Sequence, residues 1–319
     1  MSESRATMNK KPVYEVPAKT VINFQSGFAH KLLCDGPTFS TGSACAYSCA
    51  FCYVPDLMRK SPHMAAIRDR HDEVVVRRRN ALEILRRQVV DAKGRPRFND
   101  PNDRRVIYSS PLVDVAANMD LVRETIEACK IILELTHWQI RLLSKSNLLP
   151  LIARELPQDR MIYGVSTGTL DDNLARSFEQ GTPLPSKRIA SLHWLQDNGY
   201  RTFGMICPSL PQHEYDGFAR EIRDAICAEK CEHVWAEVIN VRGDSMTRTI
   251  AALRAGGFDW YADALDQTRN HDVWETYARQ TFLAHSRIYP LGKLRFLQYA
   301  NAKTRSWWKA RENLGAILL

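Results

Sequence analysis

From residue 106 onward the chain alternates between two hydrophobic periods. Short apolar, β-branched runs predict strands at 106–110, 139–143, 161–166, 201–206 and 234–241. Between them, apolar positions at helical spacing predict helices at 118–135, 148–156, 184–198 and 215–229. Strands separated by helices imply parallel pairing through right-handed crossovers. Upstream, 38–42 reads as a first strand. Residues 72–91 read as a helix with Val75, Leu82, Leu85 and Val89 on one face and Arg77, Arg78, Arg79, Arg86 and Arg87 largely elsewhere, either on a solvated face or facing phosphate. The pattern amounts to about six strand-helix units, so the expected fold is α/β, a partial (βα)6 barrel of the TIM type. Its expected divisions are a lead-in at 1–37, the barrel at 38–243, and a mostly helical C-terminal extension at 244–319 covering the barrel.

Composition changes this picture only in places. At 319 residues and 45% hydrophobic, the chain can fill one large core with an appendage. No run approaches the ~18 apolar residues of a membrane span, and residues 1–20 lack a signal-peptide centre, so no membrane partner and a cytoplasmic location are expected. Eight cysteines fit a reducing compartment in which thiols stay available for metal. The net charge of +8 and pI near 9.1 favour polyanionic partners. Residues 276–311 contain no carboxylate, and Arg279, Arg287, Lys293, Arg295, Lys303, Arg305, Lys309 and Arg311 interleave with Phe282, Tyr289, Phe296, Tyr299, Trp307 and Trp308. Such a mixture suits phosphate contacts beside base-stacking faces. The same pattern also describes core aromatics ringed by solvated cations.

The densest chemistry lies in Cys45-Ala46-Tyr47-Ser48-Cys49-Ala50-Phe51-Cys52-Tyr53, directly after the first strand. Three thiolates at such short separations can reach one inorganic centre without closing a long loop. A cubane [4Fe-4S] cluster held by three thiolates leaves one iron open to substrate or cofactor. A zinc site normally needs four ligands. Cys34, outside the loop spacing, is the nearest candidate for a fourth and would close an electron-transfer cluster.

Cys-x3-Cys-x-aromatic-Cys, with Phe51 in the aromatic place, resembles the signature of the radical S-adenosylmethionine (SAM) superfamily. The resemblance spans roughly 38–241. It implies a partial (βα)6 barrel, a [4Fe-4S] cluster on Cys45, Cys49 and Cys52, and SAM bound at the open iron and cleaved reductively to a 5'-deoxyadenosyl radical. An electron donor such as flavodoxin or ferredoxin goes with that chemistry.

In parallel barrels the site gathers at the C-terminal ends of the strands. There, Lys145 would pair with the SAM carboxylate, Ser166 would bond the ribose, and Ser110 or Asp114 would accept from the amino group; each is equally readable as an ordinary strand-end polar residue. Cys52-Tyr53, Ser144-Lys145-Ser146, Ser166, and Phe178-Glu179-Gln180-Gly181-Thr182-Pro183 followed by Arg188 resemble the spore photoproduct lyase-like branch, often described as DNA repair photolyases. That branch keeps a hydrogen-donating cysteine near the end of the second strand, and Ser109 to Asp114 contains none. Cys207 is then either the donor or a buried structural thiol. Tyr53 either relays a radical or packs on the cluster. Cys227-x3-Cys231 with His233 invites a second metal site but lacks a fourth ligand, and Cys129 reads as helix core.

The function expected from all of this is a radical SAM enzyme acting on DNA or RNA, in repair or modification. Two other readings stay open: radical chemistry on a peptide or small molecule, and a non-enzymatic iron-sulfur nucleic-acid-binding protein in which Cys34 closes the cluster.

Overall fold

The computed structural model describes residues 11–45, 47–60, 64, 73–109, 111–240 and 243–319. Its strands are β1 (Val13–Val16), β2 (Ile22–Asn23), β3 (Thr38–Phe39), β4 (Gly42–Ala44), β5 (Val75–Arg78), β6 (Val106–Ser109), β7 (Gln139–Ser144), β8 (Met161–Ser166), β9 (Arg201–Ser209), β10 (Cys231–Val238), β11 (Leu294–Gln298) and β12 (Ala316–Leu318). The α-helices are α1 (Val54–Arg59), α2 (Ala81–Val89), α3 (Met119–Leu135), α4 (Leu149–Ala153), α5 (Asp172–Phe178), α6 (Pro185–Asp197), α7 (Tyr215–Ala225), α8 (Ser245–Ala255), α9 (Asp259–Gln267), α10 (His271–Ile288) and α11 (Arg305–Lys309).

A nine-stranded sheet runs in the order β12-β11-β10-β9-β8-β7-β6-β3-β2. Every neighbouring pair is parallel except β2 with β3. With β2 and β12 as its two edges the sheet forms an open, partial barrel, as the alternating pattern predicted. The helices form because their apolar residues fall on one face. In α3, for example, Leu121, Val122, Thr125, Ile126, Ala128, Cys129 and Ile132 are buried, and the Asn118 side chain caps the first turn by accepting from Leu121 N–H.

The structure departs from the sequence reading in three places. The helix expected over 72–91 is a strand, β5, followed by the shorter α2. The β-branched Val74-Val75-Val76 run suits a pleated strand better than a helix, and β5 lies between β1 and β4 in a separate three-stranded sheet. The first strand accordingly divides: β3 pairs with β6 in the large sheet and β4 with β5 in the small one. Third, β11 and β12 lengthen the large sheet within the stretch read as mostly helical. Both are short and leave little alternation to detect.

The lead-in has a clear structural place. Leu33 and Cys34 are buried against Tyr108, Ile162, Phe203, Met205, Trp235 and Leu297, side chains from β6, β8, β9, β10 and β11. Trp235 Nε1 donates to Lys31 O (2.8 Å), Arg141 Nη1 to Leu33 O (2.8 Å) and Arg295 Nη1 to Leu32 O (2.9 Å). The segment thus fills the barrel interior while its carbonyls are satisfied, as buried backbone must be.

In the basic-aromatic stretch the aromatics are mainly core. Phe282, Tyr289, Phe296 and Trp308 are buried, with Phe296 stacked on Trp308 and Trp308 Nε1 donating to Glu275 Oε1 (2.7 Å). Those rings are unavailable to bases. Trp307 is half-buried beneath the guanidinium groups of Arg279 and Arg311, whereas Lys303, Arg305 and Lys309 are exposed. Among the described residues no helix is long and apolar enough to cross a membrane.

Candidate active site

The cysteine loop lies between the two sheets. Cys52 packs beside Val16, Ala44, Val54, Met58, Val74 and Val76, the apolar floor made by the small sheet and α1. On its other side the loop is bound by backbone to the end of α5 and the turn after it: Ala50 N donates to Phe178 O (2.9 Å) and Gly181 N to Tyr47 O (3.0 Å). Phe51 meets the Phe178 ring at 5.7 Å, and Lys145 lies 5.1 Å over the Phe51 ring. Ser48 adopts φ +52°, an uncommon conformation for a residue with a Cβ, which the flanking contacts sustain.

None of the three loop thiols is in a disulfide, and burial raises the pKa of each. Cys45 is pushed up to about 12 by burial, then by Asp114 and Cys52. Cys49 rises well above the usual range through burial and Glu179, with Lys145 opposing. For Cys52 burial outweighs the Val54 N–H and Arg248. The three are near enough to repel one another as thiolates, so ionising all of them together would call for a cationic centre among them. Among the described residues no three His, Cys, Asp or Glu side chains converge as they would around a single metal ion. In a polynuclear cluster the cysteines bind different irons and so sit farther apart than ligands sharing one ion.

Cys34 lies elsewhere, buried in the barrel interior, its thiol raised by burial and influenced by Gly36, Asp35 and Arg141. A Cys34→Ala protein should therefore bind the same iron per chain as wild type after anaerobic reconstitution; loss of the cluster would revive the four-cysteine reading. The second metal reading also fails geometrically. Cys227 Sγ is 3.6 Å from His193 Nε2, Cys231 Sγ lies against Gln196 and Ile226 O, and His233 Nε2 accepts from Arg295 Nη2 at 2.9 Å.

The strand-end candidates meet beside the loop, with Ser110 outside the described residues. Asp114 is buried and fully engaged, accepting from Ser144 Oγ (2.7 Å), Lys145 N (2.7 Å) and Ala116 N (2.9 Å). Burial still holds its pKa above the ordinary carboxylate value. It thus ties the ends of β6 and β7 together. Lys145 Nζ donates to Cys207 O (3.0 Å) and forms an ion pair with Glu179 at 2.7 Å, an approach off the hydrogen-bond axis. Ser166 Oγ donates to the same Cys207 carbonyl (3.3 Å).

Sequence reasoning noticed Glu179 and Arg188 but assigned them no role. Both are buried. Arg188 donates to Glu179 and Thr182 and, through Nε and Nη1, to Pro183 O (2.6 Å) and Ser166 O (3.1 Å). Burial alone would raise the Glu179 pKa, but Lys145 and Arg188 more than offset it and hold the carboxyl below its usual value. A buried acid between two cations, nine residues from one of them across a Gly-Thr-Pro turn, was the available signal.

Lys31 from the lead-in pairs with Glu237 (3.1 Å) and lies 5.5 Å over Tyr299. Glu237 also raises the pKa of Cys207, which burial chiefly pushes up to about 12, and of Tyr53. Tyr53 is 46% exposed, yet burial opposes its ionisation and its hydroxyl donates to Pro111 O. Cys207 and Tyr53 therefore lie within electrostatic reach of each other and of Glu237, and Cys207 also within reach of Lys145 and Lys31.

No family model matches the sequence, and no curated protein matches it. Solved structures do. The chain has the fold of the radical SAM enzymes, a partial TIM-type barrel. It is similar to spore photoproduct lyase complexed with dinucleoside spore photoproduct, at TM-score 0.58 and 11% identity over 89% of this chain and 81% of that one. A mutant of that lyase with bound AdoMet and dinucleoside spore photoproduct matches at TM-score 0.55 and 12% identity, over 83% of this chain and 77% of that one. Another mutant, with dinucleoside spore photoproduct, matches at TM-score 0.53 and 12% identity, over 76% of this chain and 66% of that one.

Proposed function

We propose that this chain is a radical SAM enzyme acting on a nucleic-acid substrate, in repair or modification. The observation that carries the reading is the three-cysteine loop clamped at the C-terminal ends of a parallel, partial-barrel sheet. Cys45, Cys49 and Cys52 would hold a [4Fe-4S] cluster, and with SAM bound the cluster would supply a 5'-deoxyadenosyl radical by reductive cleavage, given an electron donor such as flavodoxin or ferredoxin.

This chain's own residues would prepare the site. Lys145 and Ser166, converging on the Cys207 carbonyl, offer a cation and a hydroxyl to the carboxylate and ribose of SAM, and Asp114 keeps Lys145 in register. Burial keeps Cys207 and Tyr53 protonated at neutral pH, the form that carries a hydrogen atom to give. Cys207 S–H would donate that hydrogen to a substrate radical, becoming a thiyl, and Tyr53 O–H would pass its own hydrogen to the thiyl, restoring the thiol and leaving the unpaired electron on a Tyr53 tyrosyl. The nucleic-acid reading draws on the fold shared with spore photoproduct lyase, one structure of which is a complex with dinucleoside spore photoproduct, and on the exposed Lys303, Arg305 and Lys309.

The test is anaerobic. A reconstituted, reduced protein should show an EPR spectrum that changes on adding SAM, with 5'-deoxyadenosine formed; a cluster indifferent to SAM would turn the reading to a closed-site binding protein. In parallel, binding to single- and double-stranded oligonucleotides should weaken as salt rises, because phosphate contacts release counterions. Absent or salt-insensitive binding would favour a peptide or small-molecule substrate.

A further inference from the structure

Arg248, in the first turn of α8, reaches the cysteine loop from the C-terminal part of the chain. Its Nε donates to Ala50 O (3.1 Å) and its Nη2 to Cys52 O (2.6 Å). The fork therefore spans the carbonyl of one prospective cluster ligand and that of a residue two positions before it, a two-pronged grip that an ammonium cannot reproduce. The remaining Nη1 is buried with no partner among the described residues. A buried guanidinium N–H without an acceptor is unfavourable, and this one belongs to a group held against the loop that would carry the cluster.

We propose that Arg248 is a positioning residue that raises the reduction potential of the cluster, its cation stabilising the charge added on reduction while its fork fixes the Cys52 end of the loop. The inference rests on the cluster assignment made above. Reduction adds one negative charge to the cluster, and cluster potentials respond to nearby charge and to hydrogen bonds. Arg248 is half-buried, so its charge is only partly screened.

The experiment is an EPR-monitored redox titration of reconstituted full-length protein, with iron and sulfide per chain measured on the same samples, for wild type, Arg248→Gln and Arg248→Lys. Removing the charge should lower the equilibrium constant for reduction about tenfold, a shift of about 59 mV to more negative potential for a one-electron couple. Lysine keeps the charge and should stay within about threefold of wild type while losing part of the iron, because the grip is lost. An Arg248→Gln midpoint equal to wild type would overturn the proposal, as would equal shifts in both variants. If Arg248→Gln holds no iron, Arg248→Lys decides: a loaded cluster at the wild-type potential supports the charge role, and an empty or shifted one refutes it. A wild-type protein that forms no cluster would instead refute the radical SAM reading itself.

Discussion

Cys49→Ala protein is expected to fold, to lose its reconstituted cluster and to form no 5'-deoxyadenosine above background. Cys49 is the most enclosed of the three loop cysteines, and alanine removes one sulfur from a site otherwise fixed by backbone bonds at Tyr47 and Ala50. Those bonds do not depend on the thiol, so the loop should persist without it. Losing a residue that merely orients a metal ligand typically costs 10–100-fold in affinity or activity, so loss of a ligand itself should exceed roughly 100-fold. Cys129→Ala is the control: it deletes an equally buried thiol within α3 and should leave iron content and SAM cleavage at wild-type levels. A Cys49→Ala protein that still cleaved SAM would sink the cluster assignment.

The parts of this protein that were legible from sequence are those whose physics is local. The cysteine loop is nine contiguous residues, and the β/α alternation repeats within windows of 10 to 18 residues, so both could be read without knowing what lies opposite. The β5 strand was misread because Val75 and Leu82 happen to fit a helical face, and only its pairing with β1 and β4 decides otherwise. The aromatic stretch is the same lesson on the surface. Phe282, Phe296 and Trp308 look identical in sequence whether they stack on bases or on one another, and the packing of α10 on β11 and α11 resolves them as core. Arg248 and Lys31 carried no sequence signal, since their partners at Cys52 and Glu237 are 196 and 206 residues away.

Glu179→Gln should be the most destabilising single substitution around the site, by about 3–5 kcal/mol at neutral pH. Arg188 is 0% exposed and Glu179 is 2% exposed. Gln would leave Arg188 and Lys145 as buried cations without a counter-charge, and removing one partner of a buried pair strands the other. The effect should carry a pH signature. The folded-state pKa of Glu179 is lowered relative to the unfolded chain, so its ionised form contributes stability that is fully present above the unfolded value, roughly 4.3. That contribution is lost as pH falls through the lower, folded-state pKa. Urea unfolding of wild type and variant should thus differ most near pH 7 and converge only as pH falls through the lowered folded-state pKa of Glu179, where the wild-type carboxyl also becomes neutral. A double variant, Glu179→Gln with Arg188→Met, should recover part of the loss, because the more deeply buried of the two stranded charges is gone. Equal stability of wild type and Glu179→Gln at pH 7 would refute the account. The consequence reaches the site, because the turn that Glu179 and Arg188 stabilise is the one whose Gly181 N–H bonds the cysteine loop at Tyr47. Glu179→Gln should therefore also lower iron per chain, whereas an equally destabilising change remote from the turn should not.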